Sequence, residues 1–300
     1  MQERSVLLKL FGVSLLWGFN YVASAYMLRD FSPIFLSFVR LVVMSLFLLS
    51  VAAVHRNLKR PTKREWMLLL YAGVFGTLFN QFFYFTGLQY STAGNAALII
   101  ALSPIATTLL SRLFLKEALT WMRVAGALVA FFGVGGIVLY GGAAFGISKG
   151  DVYLFLSMLG MSIGLLFVRK LTVAMSSYEV TIYSTLIGTM LMMPTAAWEA
   201  SRGQFHASHH ALTWLLLITV AVIGQGLAGF WWNQGIAVVG PSTSSMFMNI
   251  PPFIAVLVGF LVLGDPIHLA QIAGGFLILI GVAVSNMKRS NFRGINNQSI

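Results

Sequence analysis

LFLKEALTWMRVAGALVAFFGV (residues 113–134) and LVLGDPIHLAQIAGGFLILIGV (residues 261–282) lie 148 positions apart and space their glycines in the same way after an acidic residue. The match continues without a gap back to Gly87 and Gly235 and includes one proline in each copy. Only nine of the 48 aligned pairs are identical, so the evidence for a duplication is the shared spacing and not close identity. A duplication of this length predicts a fold built from two similar halves.

The composition indicates that most of the chain lies in a membrane. Apolar residues make up 58% of the chain and charged residues 9%, whereas soluble domains carry about 25% charged residues. We expect an all-α polytopic membrane protein, integral to the plasma membrane and typical of a bacterial inner membrane. The net charge of +11 is attributed to short loops that orient the chain, so no nucleic-acid partner is expected. The chain has no cysteine, which excludes disulfides and thiolate chemistry.

The charges and turn residues divide the chain into ten apolar segments of about 20 residues, the length that crosses a bilayer as a helix. These segments lie near 6–27, 33–54, 66–88, 93–114, 121–140, 151–170, 178–198, 211–234, 241–263 and 268–287. The uncharged stretches 66–111 and 203–264 are too long for one helix. Each is therefore expected to contain a hairpin, turned at residues 90–94 and 235–241.

Five crossings in each half are an odd number, so the second half enters the membrane from the opposite side. We therefore expect an inverted 5+5 repeat, whose halves are related by a pseudo-two-fold axis in the membrane plane. The first repeat is assigned to residues 1–145 and the second to residues 146–287. Residues 288–300 form a polar tail.

The lysines and arginines predict the orientation of the chain. With the N-terminus in the cytoplasm, fifteen of the 19 basic residues fall on the cytoplasmic side: Arg4, Lys9, Arg56, Lys59, Arg60, Lys63, Arg64, Arg112, Lys116, Arg123, Arg169, Lys170, Lys288, Arg289 and Arg293. Arg29, Lys149 and Arg202 fall on the opposite side, and Arg40 lies within a helix. Because cytoplasmic loops are enriched in basic residues, both termini and the 288–300 tail are expected in the cytoplasm.

The ionisable residues argue against an enzyme. All five histidines and all eight acids fall in loops or at helix ends, whereas hydrolysis or metal chemistry inside a membrane needs such groups clustered at depth. We therefore expect no catalytic residue, no metal and no cofactor. The same distribution argues against the usual relay of protons between carboxylates. No obligate protein partner is indicated, and the lipid bilayer is the expected surrounding.

The first helix carries polar and aromatic residues near its centre, in Trp17, Asn20 and Tyr21. Tryptophan is usually found at the membrane interface, so an indole and an amide at mid-depth need partners. One interpretation is that these residues line a polar cavity. The other is that they bond to the backbone of a neighbouring helix.

The third and eighth predicted helices carry a similar polar and aromatic face. Asn80 and Tyr84 are four residues apart, and Gln225 and Trp232 are seven apart, so each pair lies on one helix face. Tyr84 and Trp232 also match in the repeat. Substrate binding predicts this placement, although aromatic packing in a crowded bundle predicts it equally well for each residue taken alone.

The fourth and ninth predicted helices are each interrupted by proline, at Pro104 and Pro252. Interrupted helices at matching positions indicate a transport site, because they free backbone carbonyls and permit hinging. Asn95, Ser244 and Asn249 lie on the same two helices and are candidates for substrate binding. Close helix packing is the alternative role for the serines.

Arg40 is the one charge inside a predicted helix. It is expected to bind a substrate carboxylate, to extend outward to the membrane surface, or to pair with Asp30. The glycines of the quoted stretches, among them Gly126, Gly133 and Gly281, form stripes of small residues. These stripes predict close packing of the fifth and tenth helices.

The inverted five-helix pattern, Trp17-Gly18 in the first helix and the two quoted stretches resemble the drug/metabolite transporter (DMT) superfamily, and each half resembles an EamA-type domain. The second half departs from the pattern with Asp265 in place of glutamate and a following proline. Within the superfamily the chain is most similar to the YddG-type exporters of aromatic amino acids. The resemblance implies a central cavity lined by helices 1–4 and 6–9, with helices 5 and 10 outside it.

The expected function is secondary transport by alternating access through a central cavity. An almost charge-free cavity with aromatic walls suits export of a small neutral or zwitterionic metabolite, with amino acids, aromatic ones included, as the first choice. Efflux of drugs and hydrophobic cations is the alternative, because the same aromatic rings can bind cations through cation–π contacts.

Overall fold

The structure is a computed structural model that describes residues 2–55, 58–115, 121–140, 148–172, 174–229, 231–232, 247 and 250–286. Within these ranges every regular element is a helix. Among the described residues, six helical stretches are long and apolar enough to cross a membrane, and four further apolar helices are shorter. The chain is therefore an all-helical polytopic membrane protein. The expected turn at 235–241, Glu117 and the 288–300 tail lie outside the described residues.

The helices follow the predicted segments closely, except that the eighth and ninth segments are described only in part. They are α1 (Gln2–Met27), α2 (Pro33–His55), α3 (Lys63–Gly73), α4 (Asn80–Leu88), α5 (Ala93–Ile100), α6 (Ser103–Leu115), α7 (Trp121–Tyr140), α8 (Lys149–Leu171), α9 (Ser177–Ser201), α10 (Ala211–Thr219), α11 (Pro251–Val258) and α12 (Leu269–Asn286). Three π-helical segments, Val74–Phe79, Val220–Leu227 and Gly259–Leu263, continue α3, α10 and α11. The turn predicted at 90–94 lies at residues 89–92.

Two interruptions occur at matching positions of the duplicated sequence. The fourth predicted segment breaks at residues 101–102, and α6 starts at Ser103. Pro251, 148 residues later, starts α11 after a bend. The first two π-helical segments also end 148 residues apart, at Phe79 and Leu227. Proline lacks the N–H that continues a helix, so the breaks before Pro104 and at Pro251 follow from the sequence, whereas the π-helical ends do not.

Two buried serines, also 148 residues apart, donate hydrogen bonds near these interruptions. Ser14 on α1 donates to the Phe247 carbonyl at 2.8 Å, and Ser162 on α8 donates to the Ser103 carbonyl at 3.3 Å. The helical donor for Phe247 would be the N–H of residue 251, which proline lacks. The Phe247 carbonyl instead accepts from the Ile250 N–H at 3.2 Å, and the Ser14 hydroxyl adds a second donor inside the bundle, where polar groups need internal partners.

The glycine stripes pack α7 against α12, as predicted. A Cβ atom built on Gly133 would lie 2.6 Å from the Gly274 carbonyl oxygen, and one on Gly281 would lie 2.5 Å from the Gly126 carbonyl oxygen. No side chain fits at such distances. The two backbones are therefore in direct contact, which is the packing that small residues permit between membrane helices.

Acidic residues tie the connections together at one end of the bundle, here called the Asp30 end. Asp30 accepts hydrogen bonds from Ser208 and Thr213, at 3.2 and 3.0 Å. The 264–268 connection reaches the same end, where Asp265 accepts a hydrogen bond from the backbone of Ala93 at the start of α5. Partial burial raises the pKa of the Asp265 carboxyl, and the nearby Arg29 opposes this shift.

Lys59 holds the opposite end together, here called the Lys59 end. Its ammonium contacts Glu65 at 2.9 Å and the Ala174 carbonyl at 3.0 Å, and its backbone N–H donates to Glu179 at 2.7 Å. Glu65 and Glu179 also complete capping boxes at the starts of α3 and α9, where acids are favoured by the helix dipole. One lysine thus joins two helix starts.

Glu199 at the Asp30 end is expected to be a major stabilising residue. This buried carboxylate accepts hydrogen bonds from the Ser32 hydroxyl and from the backbone N–H groups of Ile34 and Phe35, at 2.7 to 3.1 Å. Glu199→Ala leaves all three donors without their acceptor and should destabilise the protein by about 2–4 kcal/mol. Denaturant titration in detergent measures this loss. Ser201→Ala, an exposed change on the same helix, should stay within about 0.5 kcal/mol, and equal losses in both variants would contradict the prediction.

Candidate substrate cavity

A cavity of about 270 Å³ lies between the two helix interruptions. Eight residues singled out from the sequence line it: Trp17, Asn20, Tyr21, Arg40, Asn80, Tyr84, Gln225 and Pro252. The other lining residues are Gln81, Ala97, Ile100, Ala101, Ser103, Met161 and Pro251. Among the described residues, α7 and α12 contribute none, in agreement with the resemblance stated above.

Two aromatic contacts border the cavity along α1. The Trp17 and Trp232 ring centroids are 5.2 Å apart, and the Tyr21 and Tyr84 centroids are 6.1 Å apart in an edge-to-face arrangement. Trp17 and Tyr21 are four residues apart and so lie on one face of α1. Trp232 is not itself a lining residue and reaches the cavity only through its contact with the Trp17 ring.

Arg40 forms the polar centre of the cavity with two residues of α1. Its Nη1 donates to the Ser24 hydroxyl at 2.7 Å and its Nη2 donates to Asn20 Oδ1 at 2.8 Å. Its guanidinium carbon also lies 5.1 Å from the centre of the buried Phe85 ring. Arg40 is only 2% exposed, so it does not extend outward to the membrane surface.

The expected pairing of Arg40 with Asp30 is wrong. Asp30 bonds to Ser208 and Thr213 at the end of the bundle, whereas Arg40 lies one to two turns deeper, beside Asn20 and Ser24. The tertiary structure supplies Asp30 with hydroxyl donors from a segment far away in sequence. Arg40 is left with neutral partners.

Asn80 lines the cavity but chiefly joins two helices. Its amide nitrogen donates to the backbone carbonyl and to the hydroxyl of Ser157, at 3.0 and 2.9 Å, and Gln81 donates to its oxygen at 3.1 Å. The Ser157 hydroxyl in turn donates to the Asn80 carbonyl at 2.9 Å. The Asn80 amide is therefore occupied by a neighbouring helix, and Gln81 lines the cavity beside it.

Asn95 lies away from the cavity, which corrects its selection as a lining residue. It is 3% exposed, donates to Asp151 at 3.3 Å and accepts from Gln271 at 2.7 Å. These bonds connect α5, α8 and α12 near the Asp30 end, where Ser91 also donates to Asp151. Because all three helices start here, the Asn95 amide serves to hold helix starts together.

The other selected residues belong to the interruptions. Pro104 is the second residue of α6, and Pro252 is the second residue of α11. Ser244 and Asn249 lie outside the described residues. The segment before each proline lines the cavity through Ile100 and Ala101 in one half and through Pro251 in the other.

Ser24 is the functional candidate that the sequence reading missed. It lies on α1 four residues after Asn20, whose Oδ1 it also contacts at 3.2 Å. The same spacing that put Trp17 and Tyr21 on one face therefore places Ser24 one turn beyond Asn20. Serine in a membrane helix is common and usually serves packing, which is why the residue type alone did not single it out.

A polar and aromatic cavity at interrupted helices, inside a bundle of membrane helices, defines the class of solute transporters. The chain belongs to the EamA-like transporter family, whose model matches it twice, at residues 4–139 and 148–287. Transport is thus the activity of the family, and the membership in the drug/metabolite transporter superfamily expected from the sequence is confirmed.

Two of the relatives, both named as transporters, match over at least 90% of their own length. The chain is 27% identical to the uncharacterized transporter YyaM of Bacillus subtilis, over 95% of each chain. It is 26% identical to a probable terminal-alkyne amino-acid exporter of Streptantibioticus cattleyicolor, over 91% of this chain and 90% of the relative. A protein crystal structure that is 22% identical shares the fold with a TM-score of 0.63, over 94% of this chain and 96% of the other.

Proposed function

We propose that the protein is a secondary transporter that exports small neutral or zwitterionic metabolites, with amino acids, aromatic ones included, as the first choice. The observation that carries this proposal is the cavity, in which amides and aromatic rings surround a single arginine. Aromatic walls with a few fixed polar groups are typical of sites for small molecules. The amino-acid exporter among the relatives supports the same substrate class.

The helix interruption provides acceptors for the ammonium group of an amino acid. The Ile100 carbonyl cannot receive the usual helical hydrogen bond, because residue 104 is proline and has no N–H. Ile100, Ala101 and Gln81 line the cavity, and their carbonyl and amide oxygens are suitable acceptors. An amino acid therefore finds acceptors on one side and the donors of Arg40 on the other.

The proposed architecture is ten membrane-spanning helices in an inverted 5+5 repeat. Three features recur at a spacing of 148 residues: helix starts at Ser103 and Pro251, π-helical ends at Phe79 and Leu227, and the serines at 14 and 162. The double match to the family model supports the division near residue 145. With the basic Lys59 end in the cytoplasm, both termini are cytoplasmic, and the bacterial relatives favour the inner membrane.

Alternating access in this architecture uses the two aromatic contacts as gates. Tyr84 and Trp232 are 148 residues apart, so an inverted repeat puts them on opposite sides of the membrane midplane. Their contacts with Tyr21 and Trp17 then close the cavity toward the Asp30 end and the Lys59 end, respectively. Pro104 and Pro252 lie at the hinges that let one gate open while the other stays closed.

Transport by the purified protein in proteoliposomes tests the function directly. We expect uptake of radiolabelled phenylalanine, tryptophan or leucine above that of empty vesicles, and no uptake of a sugar phosphate, because Arg40 is the one cation that lines the cavity among the described residues. A hydrophobic cation such as tetraphenylphosphonium should be transported poorly, since a buried guanidinium repels it. Transport of the cation without transport of amino acids would replace the proposal with drug efflux, and transport of the phosphate alone would contradict both.

A further inference from the structure

Arg40 carries a buried positive charge that no anion of the described structure neutralises. Its hydrogen-bond partners Ser24 and Asn20 are both uncharged. The carboxylates at the near end of the bundle are occupied elsewhere, Asp30 by two hydroxyls and Glu199 by Ser32 and two backbone N–H groups. Within the described residues no acid lies within ion-pair distance of Arg40.

This arrangement is unfavourable for the empty protein. A guanidinium stays protonated in proteins, so Arg40 cannot escape its burial by losing the charge. An uncompensated charge in the interior of a membrane protein is costly, and such charges mark ligand or ion pathways. The energetic deficit is removed when an anion enters the cavity that Arg40 lines.

The donors of Arg40 match one carboxylate. Of its five N–H groups, one is used by Ser24 and one by Asn20, and Nε has no partner among the described residues. The contacts with Ser24, Asn20 and the Phe85 ring hold the guanidinium in place without satisfying it. A fixed guanidinium with unused donors is the group that binds carboxylates most strongly.

We propose that Arg40, positioned by Ser24 and Asn20, is a subsite for the carboxylate of the substrate, so that a singly charged carboxylate is required for binding. The inference rests on the proposed function in that the cavity is the transport site. It narrows the substrate class to molecules that join a carboxylate to an apolar group. It also gives the reason for rejecting amines, amides and esters of the same shape.

Three ligands of matched size separate the contributions to binding: phenylalanine, phenylalaninamide and 3-phenylpropionate. Binding is measured by the ligand-dependent melting temperature of the purified full-length protein in detergent, and transport by inhibition of phenylalanine counterflow in proteoliposomes. The wild-type protein should prefer phenylalanine to its amide at least about tenfold, because a hydrogen bond to a charged group contributes more than the roughly 1.4 kcal/mol that corresponds to a factor of ten.

Arg40→Gln removes the charge and keeps a hydrogen-bond donor beside Ser24 and Asn20. We expect phenylalanine affinity to fall at least about tenfold and the preference over phenylalaninamide to disappear, while the melting temperature without ligand does not fall. Arg40→Lys should restore part of the preference, because it keeps the charge and loses the bidentate geometry. Ser24→Ala, which leaves the charge in place, should weaken phenylalanine binding several-fold.

Arg29→Gln is the matched control. Arg29 is exposed at the Asp30 end, over the Tyr26 ring, so its loss should change neither affinity nor preference. The subsite is overturned if wild-type protein binds phenylalanine and its amide equally, or if Arg40→Gln keeps the preference. If the wild-type protein transports no amino acid, the proposed function fails. The carboxylate subsite would still be upheld if 3-phenylpropionate binds to the wild-type protein and Arg40→Gln weakens that binding. The subsite would be rejected if 3-phenylpropionate binds equally well to the wild-type protein and to every Arg40 variant.

Discussion

Trp17→Ala is expected to reduce the transport of an aromatic amino acid at least about tenfold while the protein remains folded. The Trp17 indole lines the cavity and contacts the Trp232 ring at 5.2 Å. Its removal deletes an apolar wall whose burial against a ligand is worth about 1.5–3 kcal/mol, and 1.4 kcal/mol is a factor of ten in affinity. It also releases the contact proposed to close one side of the cavity. Initial uptake rates in proteoliposomes, corrected for the amount of reconstituted protein, measure the effect.

Phe19→Ala is the control for this substitution, because Phe19 lies two residues away on the same helix and is half exposed. It should leave transport within about twofold, since a lipid-facing ring makes no contact with the cavity. Tyr84→Ala should resemble Trp17→Ala, because Tyr84 borders the cavity through Tyr21. If Trp17→Ala and Tyr84→Ala both transport normally, neither residue belongs to the transport site.

Gly133→Leu is expected to abolish the folded protein, and Gly133→Ala to destabilise it by about 1–3 kcal/mol. A Cβ atom at this position would lie 2.6 Å from the Gly274 carbonyl oxygen and 3.0 Å from the Leu277 Cβ atom. The backbones of α7 and α12 would have to separate along their whole contact, and the helix interiors cannot yield by rotating a side chain. Monodisperse yield after detergent extraction and the apparent melting temperature measure the loss.

Gly135 provides a control on the same helix and two residues away. No atom of the described residues lies within 4 Å of a Cβ atom at this position, so Gly135→Ala should be neutral or stabilising, because alanine is favoured over glycine in a helix by about 1 kcal/mol. The same substitution is thus expected to have opposite signs at positions 133 and 135. Equal effects would show that α7 and α12 are not packed through their glycines.

Much of the fold follows from local properties of the chain. The length of apolar segments is set by the thickness of the bilayer, so the helix bounds could be predicted to within a few residues. The interruptions could be predicted because proline cannot donate a backbone hydrogen bond, whatever its neighbours are. The packing of α7 on α12 could be predicted from glycines such as Gly133, since only small residues allow such close contact. The π-helical segments could not, because they arise where helices pack and leave no residue signature.

The cavity could be predicted only in part. Trp17, Asn20 and Tyr84 stand out because indoles and amides are unusual at mid-depth in a membrane helix. Asn95 also carries an amide in a membrane helix, but that amide is hydrogen-bonded to Asp151 and Gln271 and does not line the cavity. Residue type reveals that a polar group needs a partner, and it does not reveal which partner lies within reach.

The sequence by itself determined the membrane environment, the helices, their breaks and the duplicated plan, because each depends on hydrophobicity, length or the chemistry of single residues. Only the tertiary structure decided that Asp30 accepts hydrogen bonds from Ser208 and Thr213 and that Arg40 donates hydrogen bonds to Ser24 and Asn20. A charged side chain in a membrane accepts whichever partner the packed helices bring within about 3 Å. That distance is set by contacts between segments far apart in the chain, and among the described residues it leaves the buried Arg40 without an anion.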